Sequence, residues 1–219
     1  MPETVERQAL VASSDEGGVL AQFIHELSSP LSLLWTGFDG AAREELTVQA
    51  GAERVRQLLN YASATLVAEP LPVAQVPLSG PLRRAAQRLR KGSVCLGEIA
   101  AGLGETAAVL PADPVWAEVL MAGWLEAACY GAPAAPISVT VNDTQQGMVV
   151  LTAQCAAMLH RDPRLILRRL AVRAASHLAE MCGGGLVVCF SELKAVLALP
   201  KALPAPRAGV RDHWKRKGR

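Results

Sequence analysis

Aromatic side chains make up only 4% of this 219-residue chain, although 51% of it is hydrophobic. A core built from such a sequence must be aliphatic and rich in alanine. No apolar run reaches the ~18 residues that a membrane span needs. The N-terminus, Met1-Pro2-Glu3-Thr4-Val5-Glu6-Arg7, lacks the basic opening of a signal peptide. Neither a span nor membrane partners are therefore expected. The cysteines (Cys95, Cys129, Cys155, Cys182, Cys189) are odd in number and form no C-x-x-C pair. That excludes a zinc site of the usual spacing, argues against a disulfide framework and favours a reducing cytoplasm. A formal net charge of +2 is too small to imply a polyanionic partner by itself. No Ser/His/Asp spacing supports a hydrolase, and the segment before His25 leaves no room for an input domain.

What the chain does carry begins at residue 14. Leu20, Ile24, Leu27, Leu31, Leu34 and Phe38 recur with 4,3,4,3,4 spacing, a heptad seam on one helix. Ser13, Ser14 and Asp15 can cap its start, and Gly40 can stop it. His25 follows a seam residue, so it lies about 100° around the helix, towards water. Pro30 comes five residues later. It deletes the hydrogen bond to the Glu26 carbonyl and crowds that carbonyl, a cost of roughly 3 kcal/mol. A seam helix has no packing reason to carry that defect beside an exposed histidine, which marks the turn as functional.

Past Gly40, Val48, Ala52, Val55, Leu59, Ala62 and Leu66 repeat the same spacing. Two such helices joined by a short connection form an antiparallel hairpin over 14–68 whose seam is half covered. Two copies would close a four-helix bundle with the imidazoles outside, so a homodimer is expected.

Residues 1–12 read as a frayed leader. Pro70, Pro72 and Pro77 stiffen an extended linker, which places a domain boundary before residue 78. A second domain over 78–200 follows. It opens with a helix over 78–91 whose arginines (Arg83, Arg84, Arg88, Arg90, with Lys91) have no acid near them in sequence. That face reads as solvated, with an acidic receiver domain or nucleic acid as the sharper alternatives. Strands are expected around 94–100 and 106–110. Asp113-Pro114 opens a helix to about 130, with Trp116 and Trp124 on its apolar stripe. Ile137–Val141 and Met148–Thr152 form a hairpin. Asp162-Pro163 caps a long helix to Met181, and Gly183-Gly184-Gly185 stops it rather than cradling phosphate. Leu186–Phe190 and Leu193–Leu199 close the last hairpin. The stretch from 201 to 219 is a basic, mobile tail. The fold class is α+β: a helical hairpin followed by an α/β sandwich.

The box His25, Leu27, Ser29, Pro30, with Gly37 seven residues after the proline, resembles the phosphoacceptor box of histidine kinases. In its Ser-Pro form it most resembles the ChpT-type histidine phosphotransferases. The order of elements after it resembles the histidine-kinase ATP-binding domain. That resemblance implies a dimeric four-helix bundle carrying a phosphohistidine, then a kinase-like domain that has lost ATP binding. In the kinases the helix after Asp-Pro carries asparagines that hold magnesium and phosphate. Here Leu120–Tyr130 has none, and Glu126 among them would repel phosphate oxygens. The Asp-x-Gly-x-Gly loop is also missing, and no glycine lies between Val150 and Leu178. Only one turn of connection is expected where the nucleotide lid would be. Magnesium needs hard oxygen ligands and triphosphate needs close backbone amides, so neither is provided for.

The expected activity is histidine phosphotransfer between receiver-domain aspartates in a bacterial two-component phosphorelay. Imidazole titrates near pH ~6.5 and is a competent nucleophile when neutral. The expected catalytic residues are His25 and Glu26, with Glu26 accepting a ring N–H or lying beside the ring, favouring the tautomer whose other nitrogen is free. Ser29, Ser32 and Thr36 are expected to face the partner, and Pro30 and Gly37 to be structural. His160, His177 and His213 read as structural or solvent residues. The chain would need no cofactor or metal of its own, because the partner receiver brings Mg2+. Partners would be response-regulator receiver domains, a hybrid histidine kinase and a second copy of the chain, without nucleic acid. The rival readings are an ATP-dependent sensor-kinase core and a non-enzymatic nucleic-acid or scaffold protein. The first would bind nucleotide. The second would use the basic tail, with Arg207, Arg211, Lys215, Arg216, Lys217 and Arg219 against Asp212, and would bind DNA in a salt-sensitive way.

Overall fold

The computed structural model describes residues 16–37, 44–91, 96–99, 106–129, 137–143, 146–155, 169–189, 192 and 194–203. Two helices lead: α1 (Glu16–Gly37) and α2 (Glu44–Leu66). They pack against each other as a hairpin, and α1 runs through Pro30. The leader, Ser13–Asp15, Phe38 and Gly40 lie outside the described residues.

The expected seam is not the face that the chain itself buries. Leu20, Ile24 and Leu31 on α1 and Leu59 and Leu66 on α2 are about half exposed or more. The buried stripe runs one residue earlier. On α1 it is Val19, Phe23, Glu26 and Pro30; on α2 it is Gly51, Arg54, Leu58, Tyr61 and Thr65. Each stripe keeps heptad spacing, and the two lie about 100° apart around each helix. The earlier stripe packs against the α/β part of the chain.

The stretch read as an extended linker contains β1 (Val73–Pro77), which pairs antiparallel with β3 (Ala107–Pro111). This corrects the linker reading. Prolines are tolerated because a two-stranded ribbon has only edges, where a missing N–H costs no ladder bond. Between these strands lie α3 (Ser79–Lys91) and β2 (Leu96–Ile99).

A five-stranded sheet forms the rest, in the order β2-β4-β5-β7-β6. Its members are β4 (Ile137–Asp143), β5 (Met148–Cys155), β6 (Gly185–Cys189) and β7 (Lys194–Pro200). Only β2 and β4 pair in parallel. Alternate residues of β4, β5 and β7 (Ile137, Val139, Leu151, Ala153, Ala195, Leu197) are buried. They meet α4 (Pro114–Cys129) and α5 (Leu170–Met181), the period-2 pattern of a sheet covered on one face.

Local chemistry explains the helix ends. Asp113 Oδ1 accepts the Val115 N–H at 2.8 Å, capping α4 ahead of Pro114. At the end of α5, the Gly184 N–H reaches the Ala179 carbonyl at 2.8 Å and the Gly183 N–H reaches that of Glu180 at 2.9 Å. With Gly183 at φ +78°, this is a Schellman stop, as the triple glycine implied. The start of α5 departs from expectation. Arg169 is extended (φ −60°, ψ 137°), so the helix begins at Leu170 and does not continue back towards Asp162-Pro163, which lie outside the described residues. The single turn expected in place of the nucleotide lid lies outside the described residues.

Trp124 is fully buried and donates its indole N–H to the Ala195 carbonyl at 2.9 Å, which makes it core. Cys155, Cys182 and Cys189 are free, and burial pushes the Cys182 thiol up to about 11. No helix among the described residues is long and apolar enough to cross a membrane. No group of three or more metal-type side chains gathers among them either.

Candidate functional site

His25 is exposed on α1. It directly precedes Glu26 of the buried stripe, which turns it about 100° around the helix from that residue. The turn around it carries weak points in its hydrogen bonding, although the helix is continuous. Pro30 can offer no N–H to the Glu26 carbonyl. The Ser28 hydroxyl donates to the His25 carbonyl at 2.8 Å, and the Ser32 hydroxyl donates to the Ser28 carbonyl at 2.8 Å. Such back-bonding from serine loosens and bends a helix. Ser28 and Ser32 are exposed on the same stretch as the imidazole. Gly37 is the last residue of α1. The side chains of Ser29 and Thr36 lie outside the described residues.

Glu26 points elsewhere. It is 6% exposed, and its carboxylate lies at the beginning of α5. Oε1 accepts the Gln22 side-chain amide at 2.7 Å and the Leu170 backbone N–H at 3.1 Å. Oε2 lies 3.6 Å from the Arg169 guanidinium. The hydrogen bonds of this carboxylate thus go to Gln22 and Leu170, where a ring N–H of His25 had been expected.

A second carboxylate crosses the same junction from the other side. Glu126 of α4 forms a bidentate pair with Arg54 of α2, at 2.6 Å and 3.1 Å. Gln57 Nε2 donates to Glu126 at 2.9 Å, and the Tyr61 hydroxyl donates to the same oxygen at 3.0 Å. Gln57 further bonds Arg54 and Tyr61 along α2. Arg54, Gln57 and Tyr61 are spaced 3 and 4 apart, so one helix face presents all three. Glu126 holds the Arg54 guanidinium further above its ordinary range, with smaller help from Tyr61 and Glu26. Burial, followed by the Glu126 charge, pushes the Tyr61 phenol well above its ordinary 10.0.

Glu126 stands in the segment that resembles the asparagine-bearing helix of the kinases. Its face of α4 is packed against α2. Gly123, one turn earlier, permits α4 and α5 to cross closely, because a Cβ there would collide with the Ala171 carbonyl oxygen. Sequence reasoning flagged Glu126 but not its partners. The clue available was the spacing of Arg54, Gln57 and Tyr61, which reads equally well as a solvated face.

Two arginines of α3, Arg84 and Arg88, are also partnered. Glu118 of α4, 5% exposed, takes Arg84 at 3.4 Å and Arg88 more closely. The face thought to lack a nearby acid therefore has one, supplied by the next helix. The ring of His177 bonds the Val67 carbonyl at 2.8 Å, tying α5 to the end of α2, in keeping with a structural role. His160 and His213 lie outside the described residues.

No protein-family model matches the chain, and none of the curated proteins matches it by sequence. Solved structures do match. The chain is similar to the Acinetobacter baumannii histidine kinase AdeS, with a TM-score of 0.51 and 10% identity, over 84% of this chain and 98% of that one. It is also similar to the ATP binding domain of PrrB from Mycobacterium tuberculosis, with a TM-score of 0.45 and 14% identity, over 60% of this chain and 98% of that one. At such identities the likeness speaks for architecture alone. The chain has a histidine-kinase-like fold: N-terminal helices followed by an α/β sheet region.

Proposed function

We propose that the protein is a histidine phosphotransferase that relays a phosphoryl group between receiver-domain aspartates through His25, without using ATP itself. The observation that carries this reading is a contrast within one fold. The histidine is open to solvent, while the α4 face that resembles the kinase metal-binding helix is filled by Arg54, Gln57 and Tyr61 gathered on Glu126. A cationic guanidinium and a carboxylate already neutralise each other there, and the Gln57 amide oxygen is engaged by Arg54, so these groups are turned to one another rather than to magnesium.

In the proposed step, the lone pair of the neutral imidazole attacks the phosphorus of an aspartyl phosphate. A P–N bond forms as the acyl P–O bond breaks, and the aspartate carboxylate leaves with the electron pair. The remaining ring proton passes to water. The reverse reaction on a second receiver regenerates the free ring. Both adducts are high-energy, so transfer is nearly balanced. The receiver's own metal and lysine meet the charge that builds on phosphorus. This chain contributes an accessible ring on a held helix, with Ser32 about two turns along the same helix and small enough to let a partner approach.

The outward seam of Leu20, Ile24, Leu31, Leu59 and Leu66 supports a homodimer in which two hairpins form a four-helix bundle. The inner stripe already occupies the α/β part, so the outer stripe is the one left for a second copy. The proposed partners are receiver domains and a hybrid histidine kinase.

Incubation with a radiolabelled phospho-receiver should produce an acid-labile, base-stable adduct on this chain that is absent in His25→Ala. Label retained in that variant would remove His25 from the mechanism. Saturable micromolar binding of Mg-ATP would favour the kinase-core reading instead.

A further inference from the structure

Glu26 immediately follows the histidine, and the simplest role for a carboxylate there is to act on the ring. The geometry points to a different one. We propose that Glu26 is a positioning residue: it caps helix α5 from helix α1, and so fixes the rotation of α1 that keeps His25 facing outward. The inference rests on the phosphotransfer reading for its functional meaning, but not for its geometry.

Three observations support it. First, consecutive helix residues diverge by about 100°, and here the divergence separates environments: His25 is exposed, and Glu26 is 6% exposed. Second, α5 starts without a cap of its own. Arg169 sits at its N-cap position with extended backbone and no side-chain capping bond. The first N–H groups of a helix have no intrahelical partner and carry partial positive charge. Glu26 Oε1, from a residue 144 positions earlier, accepts the Leu170 N–H at 3.1 Å, while Oε2 faces the Arg169 guanidinium at 3.6 Å.

The third observation is where the tie is made. Pro30 removes the N–H that would have bonded the Glu26 carbonyl. Helix α1 is thus loosest in its own ladder at residue 26, and at that residue the side chain attaches α1 to a separate element. Gln22, one turn before, braces the same oxygen through its amide at 2.7 Å. A proline-loosened turn would otherwise let the segment before it, and the imidazole with it, rotate about the helix axis. The cap removes that freedom without touching the ring.

The test uses the full-length protein and its Glu26→Gln and Glu26→Ala variants. Three readouts are followed: NMR hydrogen exchange at the Leu170 amide, the NMR titration curve of the His25 imidazole, and the rate at which His25 is phosphorylated by phosphoramidate or a phospho-receiver. Glutamine keeps the acceptor oxygen, so Glu26→Gln should keep slow exchange at Leu170, as rescue by the conservative variant requires. Glu26→Ala loses a charge-assisted bond at a buried site, and exchange at Leu170 should quicken by about tenfold or more. The imidazole curve of Glu26→Gln should superimpose on that of the wild type, because the carboxylate does not lie on the ring. With small phosphoramidate both variants should label at close to the wild-type rate. With a phospho-receiver, which needs the ring held in place, only Glu26→Ala should slow, by about tenfold.

A displaced imidazole curve in Glu26→Gln would overturn the proposal and return Glu26 to direct action on the ring. Slow exchange at Leu170 persisting in a folded Glu26→Ala would overturn the capping itself. If the alanine variant does not fold, Glu26→Gln still decides. Fast exchange at Leu170 in that variant sinks the cap, and slow exchange with an unmoved imidazole curve supports it. Failure of the phosphotransfer reading looks different: no variant, and not the wild type, would accept a phosphoryl group from any receiver, while the Leu170 exchange pattern stayed as expected.

Discussion

Leu58 and Leu59 are neighbours in sequence and opposites in circumstance: the first is 0% exposed and the second 49%. They belong to the two parallel stripes of the hairpin. The inner stripe is mixed, with Val19, Phe23, Leu58 and Tyr61 interrupted by Glu26 and Arg54, and it is buried against the α/β part. On the outer stripe Leu20, Ile24, Leu31, Leu59 and Leu66 are aliphatic and stand in solvent. Apolar purity therefore did not identify the intramolecular face. A stripe that packs against its own chain can include charges, because the partners for those charges are built into the same fold. In the proposed dimer the outer stripe would work through apolar area.

Truncation on the inner stripe should have the largest effect. Leu58→Ala removes a side chain enclosed on all sides and should cost about 3 kcal/mol in chemical denaturation. Breaking the charged tie comes next. Arg54→Ala leaves Glu126 with only Tyr61 and Gln57 and should cost about 2 kcal/mol, discounted for the part of the pair that water reaches. If Arg54→Ala were silent, the junction would not depend on the pair. Tyr61→Phe should act mainly at high pH. In the folded protein the phenol is held well above 10.0, so the unfolded chain ionises first. The stability that Tyr61 contributes is present below pH 10.0 and is lost as pH rises beyond it. The slope is about 1.4 kcal/mol per pH unit from that one group. Denaturation midpoints measured from pH 9 to 11 should fall less steeply in Tyr61→Phe. The smallest effect on folding should come from the outer stripe. Leu59→Ala should change monomer stability by no more than about 0.5 kcal/mol. It should nevertheless weaken self-association in analytical ultracentrifugation. Equal destabilisation by Leu58→Ala and Leu59→Ala at all protein concentrations would erase the distinction between the stripes.

Much of this was legible in the sequence where the determinants are local. The Asp113-Pro114 start, the glycine stop after Met181 and the alternation of Ile137–Val141 each depend on a few adjacent residues, and each appears as expected. The heptad spacing located the hairpin and its outer stripe. It missed the inner stripe because Glu26 and Arg54 break the apolar pattern, and their partners lie 144 and 72 residues away. The same distance problem hid Glu118 from the arginines of α3. At the candidate site, His25 is exposed as expected, but the seam it was placed off is itself exposed, and the face it actually avoids is the stripe of Val19, Phe23 and Glu26. The direction of Glu26 was not legible, since that depends on where an unrelated helix begins. The prolines before residue 78 were read for stiffness alone, and β3, which receives them, could not be matched to β1 by periodicity.

That pairing of β1 with β3 bears on how such a chain can be recombined. A cut between the helices and the sheet looks natural at the proline-rich segment, yet Val73–Pro77 is stitched along its length to Ala107–Pro111. Grafting the hairpin elsewhere as a cassette would strip a strand from the remainder or carry an orphan strand along. Insertions and exchanges in this architecture should therefore accumulate in places other than that apparent joint.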